Sequence, residues 1–187
     1  MNPSWSLASL PWNPGIGALI ALLLLAAWID WRTMRIPNWL TVGGMCLGML
    51  WNVASGADPI DGLLTALGGL GLGLALFLPL WLLRAMGAGD VKLIAMTGAF
   101  LGAAAAFKAI LLTGIVGGVF ALYFALAHRA TGQMARNLRD LAYSAVLRGV
   151  PLWRPNPAAP AVGKLPYGVS ICAGTLAYLA LRQLGYA

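Results

Sequence analysis

Residues 15–29 read GIGALIALLLLAAWI, a run without a single charge, and residues 30–38 that follow read DWRTMRIPN, where an acid and two arginines arrive within six positions. A helix rises 1.5 Å per residue and a hydrocarbon core is about 30 Å thick, so roughly 20 such residues make one crossing. Further apolar runs follow at 39–55, 60–83, 91–107, 109–127 and 167–184. Of the 187 residues 60% are hydrophobic and 9% charged, more apolar surface than a water-soluble domain of this size hides in one core. The expected fold is all-α: a polytopic membrane bundle of about six transmembrane helices, with one amphipathic helix on the cytoplasmic surface. Residues 1–187 are expected to form a single membrane-embedded domain.

The fourth and fifth runs are barely separated, with Lys108 as the only charge between them. Their combined length and the glycines from Gly98 to Gly102 predict a hairpin rather than one helix. Glycines recur four apart at Gly44/Gly48, Gly69/Gly73, Gly98/Gly102 and Gly114/Gly118, a spacing that lets two helix backbones approach closely. The run GLGLG at 69–73 lies inside an apolar stretch with no strand before it, which excludes a dinucleotide loop. Pro79 deletes one backbone hydrogen bond and is expected to kink the third helix. Cys46 and Cys172 stand singly in apolar stretches and read as helix-packing residues.

Six crossings divide the loops into two sets. One set carries Arg32, Arg35, Arg84, Lys92, Arg129, Arg136, Arg139, Arg148, Arg154 and Lys164; the other carries only Lys108 and Arg182, so ten of the twelve basic residues share a side. Short cytoplasmic loops are the basic ones, which predicts both termini outside and explains the net charge of +7 without nucleic acid. Residues 1–17 hold no Lys or Arg, so the first run is expected to stay in the mature chain, with Trp5 and Trp12 at an interface. In the long loop 128–166, Met134, Leu138, Leu141 and Ala145 share one helical face, and Arg129, Arg136, Arg139 and Tyr143 the other. Such a helix suits the anionic inner leaflet, ending at Pro151, Pro155, Pro157 and Pro160.

The chain has no Glu and five Asp. Asp58 and Asp61 fall in an external turn where an N-cap explains them, and Asp140 sits among arginines as a local charge partner. His128, alone at the end of a run, reads as interfacial structure. Asp30 and Asp90 differ, because each closes or opens an apolar run on the side assigned to the cytoplasm. Carboxylates at that depth are costly and face a bundle interior or an aqueous cavity. A converging pair supplies what aspartic hydrolysis requires: an ionised group to take a proton from water, and a protonated partner to polarise a carbonyl. The competing explanation is a pair of interfacial ion pairs, Asp30 with Arg32 or Arg35 and Asp90 with Lys92. Asp90 opens a helix and Asp30 closes one, so the helix dipoles predict that Asp90 is the ionised member at rest.

The residues Gly87-Ala88-Gly89-Asp90-Val91-Lys92-Leu93 resemble the GxGDxKL signature of the membrane-embedded prepilin peptidases, and DWRTMRIPN at 30–38 resembles their first motif. About 60 residues separate the two aspartates, and Lys164-Leu165-Pro166-Tyr167-Gly168 precedes the last run. The resemblance covers roughly residues 15–184. It implies an aspartic endopeptidase with Asp30 and Asp90 as catalytic pair, supported by Gly87, Gly89, Lys92, Pro37 and Asn38. The implied substrate is a type IV prepilin, whose basic leader is cut at the cytoplasmic face of the bacterial inner membrane, with neither metal nor cofactor. Arg32 and Arg35 would then orient the protein, since they repel a basic leader. The paired CxxC insertion of bifunctional, methylating members is missing from the sequence, and the small size resembles the TadV/CpaA-like branch that serves tight-adherence (Flp) pili. The alternatives are a small polytopic transporter or a non-catalytic pilus-assembly protein.

Overall fold

A computed structural model describes residues 13–56, 58–82, 86–127 and 167–186, with single positions at 132, 136 and 139. Among these residues the chain forms six helices and no strand: α1 (Pro14–Thr33), α2 (Asn38–Ser55), α3 (Pro59–Leu82), α4 (Ala88–Leu101), α5 (Ala103–Ala127) and α6 (Tyr167–Gln183).

Local chemistry sets the ends of these helices. The Asn13 side chain accepts the Gly15 N–H at 3.0 Å and Pro14 occupies the first position of α1, where its missing N–H costs nothing. Met34 closes α1 in the left-handed region at φ 52°, donating its N–H to the Asp30 carbonyl at 2.8 Å. Pro37 then forbids continuation, and α2 starts at Asn38. Asp58 has the capping role expected of it, accepting the Ile60 N–H at 2.9 Å beside Pro59. Pro79 lies inside α3, which continues to Leu82.

The hairpin between the fourth and fifth helices is present, but its break is at Gly102 and not at Lys108. Gly102 has φ +75°, a conformation that a residue with a Cβ rarely adopts, and Lys108 is carried into the second turn of α5. As a result α4 has only 14 residues, about 21 Å of helix, too short for a 30 Å core. Among the described residues three helices are long and apolar enough to cross a membrane: α1, α3 and residues Ala103–Tyr123 of α5. α2 includes Asn38, Thr41 and Asn52 among its 18 residues, and α6 has 17, so length and hydropathy bear out three of the six expected crossings and leave the other three open.

Large apolar side chains cover the outside. Leu50, Leu64, Ile115, Val119 and Leu126 are each at least 60% exposed, a surface suited to lipid rather than water. Together with the three long apolar helices this is a multi-pass membrane protein. The centre is α4, which packs against α1, α2, α3, α5 and α6 and buries ten residues, among them Leu93, Met96 and Phe100. Lipid tails offer α4 as much apolar contact as leucines do, so close packing must hold it in place. Gly69 and Gly98 supply that closeness: a Cβ on either would strike the other's carbonyl oxygen. A Cβ at Gly73 would likewise stand 3.0 Å from the Ala95 backbone, and Gly44 and Gly48 face Met96 and Phe100.

Two expectations about packing fail. A Cβ at Gly114 or Gly118 would meet nothing within 4 Å, so that pair faces outward instead of a neighbouring helix. Cys172 is in the core as expected, whereas Cys46 is exposed. The upper end of α4 is held by Asn52, whose amide nitrogen lies 2.9 Å from the Ala99 carbonyl and 3.2 Å from that of Phe100. These carbonyls belong to the last turn of α4, where helical partners run out. The surface helix expected across 128–166 falls mostly outside the described residues, of which Gly132, Arg136 and Arg139 are helical. Trp5, Trp12, His128, Asp140 and residues 151, 155, 157, 160 and 164–166 also lie outside them.

Candidate active site

The first motif enters the site on the last turn of α1. Asp30 is 5% exposed, and its Oδ2 accepts the backbone N–H of Gly168, the second residue of α6, at 2.8 Å. The second motif enters on the first turn of α4. Gly87 precedes the helix, Asp90 is its third residue and is 8% exposed, and Asp90 Oδ2 accepts the Gly87 N–H at 3.2 Å. That bond satisfies a donor that the start of the helix leaves open.

These elements converge. Asp90 lies within electrostatic range of both Asp30 and Tyr167, the first residue of α6. The flanking residues of the two motifs also touch: Lys92 donates to Asn38 Oδ1 at 2.8 Å, and the space beside Gly89 is filled by Ile36, whose Cβ would stand 3.1 Å from a Cβ there. Pro37 sits between Ile36 and Asn38, immediately before α2. Each sequence-predicted residue, Asp30, Pro37, Asn38, Gly87, Gly89, Asp90 and Lys92, is therefore at one end of the bundle.

The competing ion-pair explanation finds different partners. Arg32 stacks its guanidinium over the Trp28 ring, 4.4 Å from the centroid, and the Lys92 ammonium bonds Asn38. Both carboxyls instead accept backbone N–H groups at helix starts, Asp90 at α4 and Asp30 at α6. The dipole asymmetry expected from α1 and α4 is thus offset by a third helix, and it no longer assigns the ionised member. Among the described residues no three His, Cys, Asp or Glu side chains gather to hold a metal ion.

Sequence reasoning did not place Tyr167 and Gly168 in the site, although the stretch Lys164 to Gly168 stood out. A Tyr-Gly pair opening an apolar run was the available signal. Asn52, an amide near the end of the second apolar run, was the corresponding signal for the α4 terminus.

The geometry agrees with the family comparison. The sequence model of the type IV leader peptidase family matches residues 17–122, a stretch containing both aspartate motifs. This chain belongs to that family. Similar relatives are the prepilin leader peptidase/N-methyltransferases of Dickeya chrysanthemi, 33% identical over 141 residues, and of Pectobacterium carotovorum, 35% identical over 131. The first match covers 70% of this chain and 49% of the relative, the second 62% and 44%. The Klebsiella pneumoniae relative of the same name is 37% identical over 101 residues, 49% of this chain and 43% of its own. The chain thus spans about half the length of the curated relatives it matches. No solved structure matches it.

Proposed function

We propose that this type IV leader peptidase family member is an aspartic endopeptidase that removes the short basic leader from prepilins, with Asp30 and Asp90 as its catalytic pair. The observation that carries the reading is the meeting of two aspartates from separate motifs, both almost fully buried, within electrostatic range at one end of an apolar bundle. Burial of two carboxyls is expensive, and an acid–base pair acting on a peptide gives a reason for it. The names of the relatives support the substrate class.

In this reaction the pair shares one proton. The ionised carboxylate takes a proton from a water molecule, whose oxygen attacks the scissile carbonyl carbon, while the protonated carboxyl gives its proton to the carbonyl oxygen. The tetrahedral diol then collapses: one hydroxyl gives its proton to the ionised carboxylate as the carbonyl re-forms, the C–N bond breaks, and the protonated carboxyl gives its proton to the leaving nitrogen, which restores the shared proton. Hydrogen bonds from Gly87 and Gly168 hold the two carboxyls against rotation during these transfers.

The reading includes a topology. Arg32, Arg35 and Lys92 lie at the aspartate end, which favours the cytoplasmic face of the inner membrane, with both termini outside and residues 1–187 acting as one membrane-embedded domain. The finer reading, carried over from the resemblance, is that the cleaved pilin belongs to the tight-adherence (Flp) class.

The test is co-expression with a candidate prepilin, scoring leader removal for the wild type, Asp30→Ala and Asp90→Ala at equal membrane accumulation. Both substitutions are expected to reduce cleavage at least about 1,000-fold, within the range removed with acid–base groups. Cleavage that survives either one removes the pair, and a transporter or a pilus-assembly scaffold becomes the better reading.

A further inference from the structure

We propose that the first turn of α6 is a third part of the active site and that Gly168 is a positioning residue, its backbone N–H fixing Asp30 and its missing side chain making room for the carboxyl. The inference rests on the peptidase reading above for its catalytic consequence, but not for its geometry. The bond from Gly168 to Asp30 Oδ2 joins residues 138 positions apart. A Cβ at 168 would stand 2.8 Å from Asp30 Oδ2, 3.0 Å from its Cβ and 3.1 Å from its Cγ. The clash thus includes the root of the side chain, and moving only its flexible end would not relieve it.

Backbone conformation does not require glycine here. The positive-φ glycines among the described residues are Gly102 and Gly185, so residue 168 is small for space alone. The N–H it offers is one of the donors that a helix start leaves unpaired, and the positive end of α6 reinforces it. Tyr167, one residue earlier, is within electrostatic range of Asp90. One turn of α6 therefore faces both acids. Its depth is fixed further along, where Gly174 fits against Thr113 and Ser170 against Gly117 of α5. The rotamer of Asp30 is set by how α6 seats on α5, not by α1 alone.

A double-mutant cycle on the purified full-length protein tests this. Gly168→Ala is expected to lower the melting temperature by about 5 °C, the scale of one to two kcal/mol in a chain of this size. In the Asp30→Ala background, where the carboxyl contacts at 2.8 and 3.1 Å are gone and only the Cβ contact at 3.0 Å is left, the same substitution should cost less than half as much, under about 2.5 °C. With a prepilin substrate, Gly168→Ala should cut kcat about 100-fold with KM within about twofold, as misplacing a reacting group by about 1 Å does. If Gly168→Ala alone fails to accumulate, recovery in the Asp30→Ala background supports the inference. Equal damage in both backgrounds, near-wild-type kcat, or a loss confined to KM overturns it. A wild type that cleaves nothing would defeat the peptidase reading, while the stability cycle would still decide whether Gly168 fixes Asp30.

Discussion

α4 and α5 follow one another with a single glycine between them, and both are predominantly apolar, yet they face different surroundings. α4 is 14 residues long and buries ten of them in protein, including an aspartate. α5 is 25 residues long and turns Leu111, Ile115, Val119 and Leu122 outward, each more than half exposed. An apolar face does not by itself say what covers it, because protein interior and lipid are equally apolar. What separates them is the partner each backbone finds. α4 meets glycines on α2 and α3, while the glycines at 114 and 118 on α5 meet nothing. A short helix walled off from lipid can hold an aspartate at one end and expose few peptide groups to hydrocarbon at the other.

The sharpest way to break this contrast is to add bulk where α3 and α4 touch. Gly98→Leu drives a side chain into the Gly69 carbonyl, with backbone on both sides and nothing flexible to move aside. Overpacking typically costs 1–3 kcal/mol, and a backbone clash belongs at or above the upper end. The expected outcome is a loss of about 3 kcal/mol or more, read as a melting temperature at least about 6 °C lower in detergent, or as failure to accumulate in membranes. Normal melting would mean that α4 is not wedged as described.

The second effect concerns the other end of α4. Asn52→Leu preserves approximate size but leaves the Ala99 and Phe100 carbonyls without their side-chain donor. Leaving buried acceptors unpaired costs about 1–3 kcal/mol, so a fall of about 3–8 °C is expected, smaller than for Gly98→Leu. Full stability in Asn52→Leu would show that water supplies these acceptors and that the end of α4 is wet.

Much of the site was legible because its chemistry is rare in this sequence. With five Asp and no Glu, each acid could be considered by position, and Asp30 and Asp90 remained once Asp58 and Asp61 were assigned to a turn. The motifs around them pointed to the same pair, and Asn38 and Lys92 meet across them. The Gly168 amide was not legible, since every residue except proline offers an N–H and nothing local says which will meet an acid 138 positions away. The α4–α5 boundary was only half legible: the glycines from Gly98 to Gly102 signalled a hairpin, but the limits of the two runs were drawn at 108. A charge at 108 drew the break, but a helix exposing lysine at its flank need not end there, whereas a positive φ at Gly102 must end it.

Glycine spacing was the least informative signal, and it yields the smallest effect. The four-residue interval says that a smooth face exists, not that anything lies against it. Gly118→Leu places a side chain into open space on an exposed face of α5, where no atom stands within 4 Å of the new Cβ. Replacing a mid-helix glycine with leucine also removes a helix-propensity penalty of about 0.8 kcal/mol. Melting temperature and accumulation should therefore be unchanged or slightly raised. One position earlier the geometry differs: a Cβ at Gly117 would stand 3.6 Å from Ser170, so the larger side chain of Gly117→Leu pushes on α6 and should destabilise. Opposite outcomes at adjacent residues would fix which face of α5 meets the bundle. Equal damage at both would mean that the outward face is covered after all.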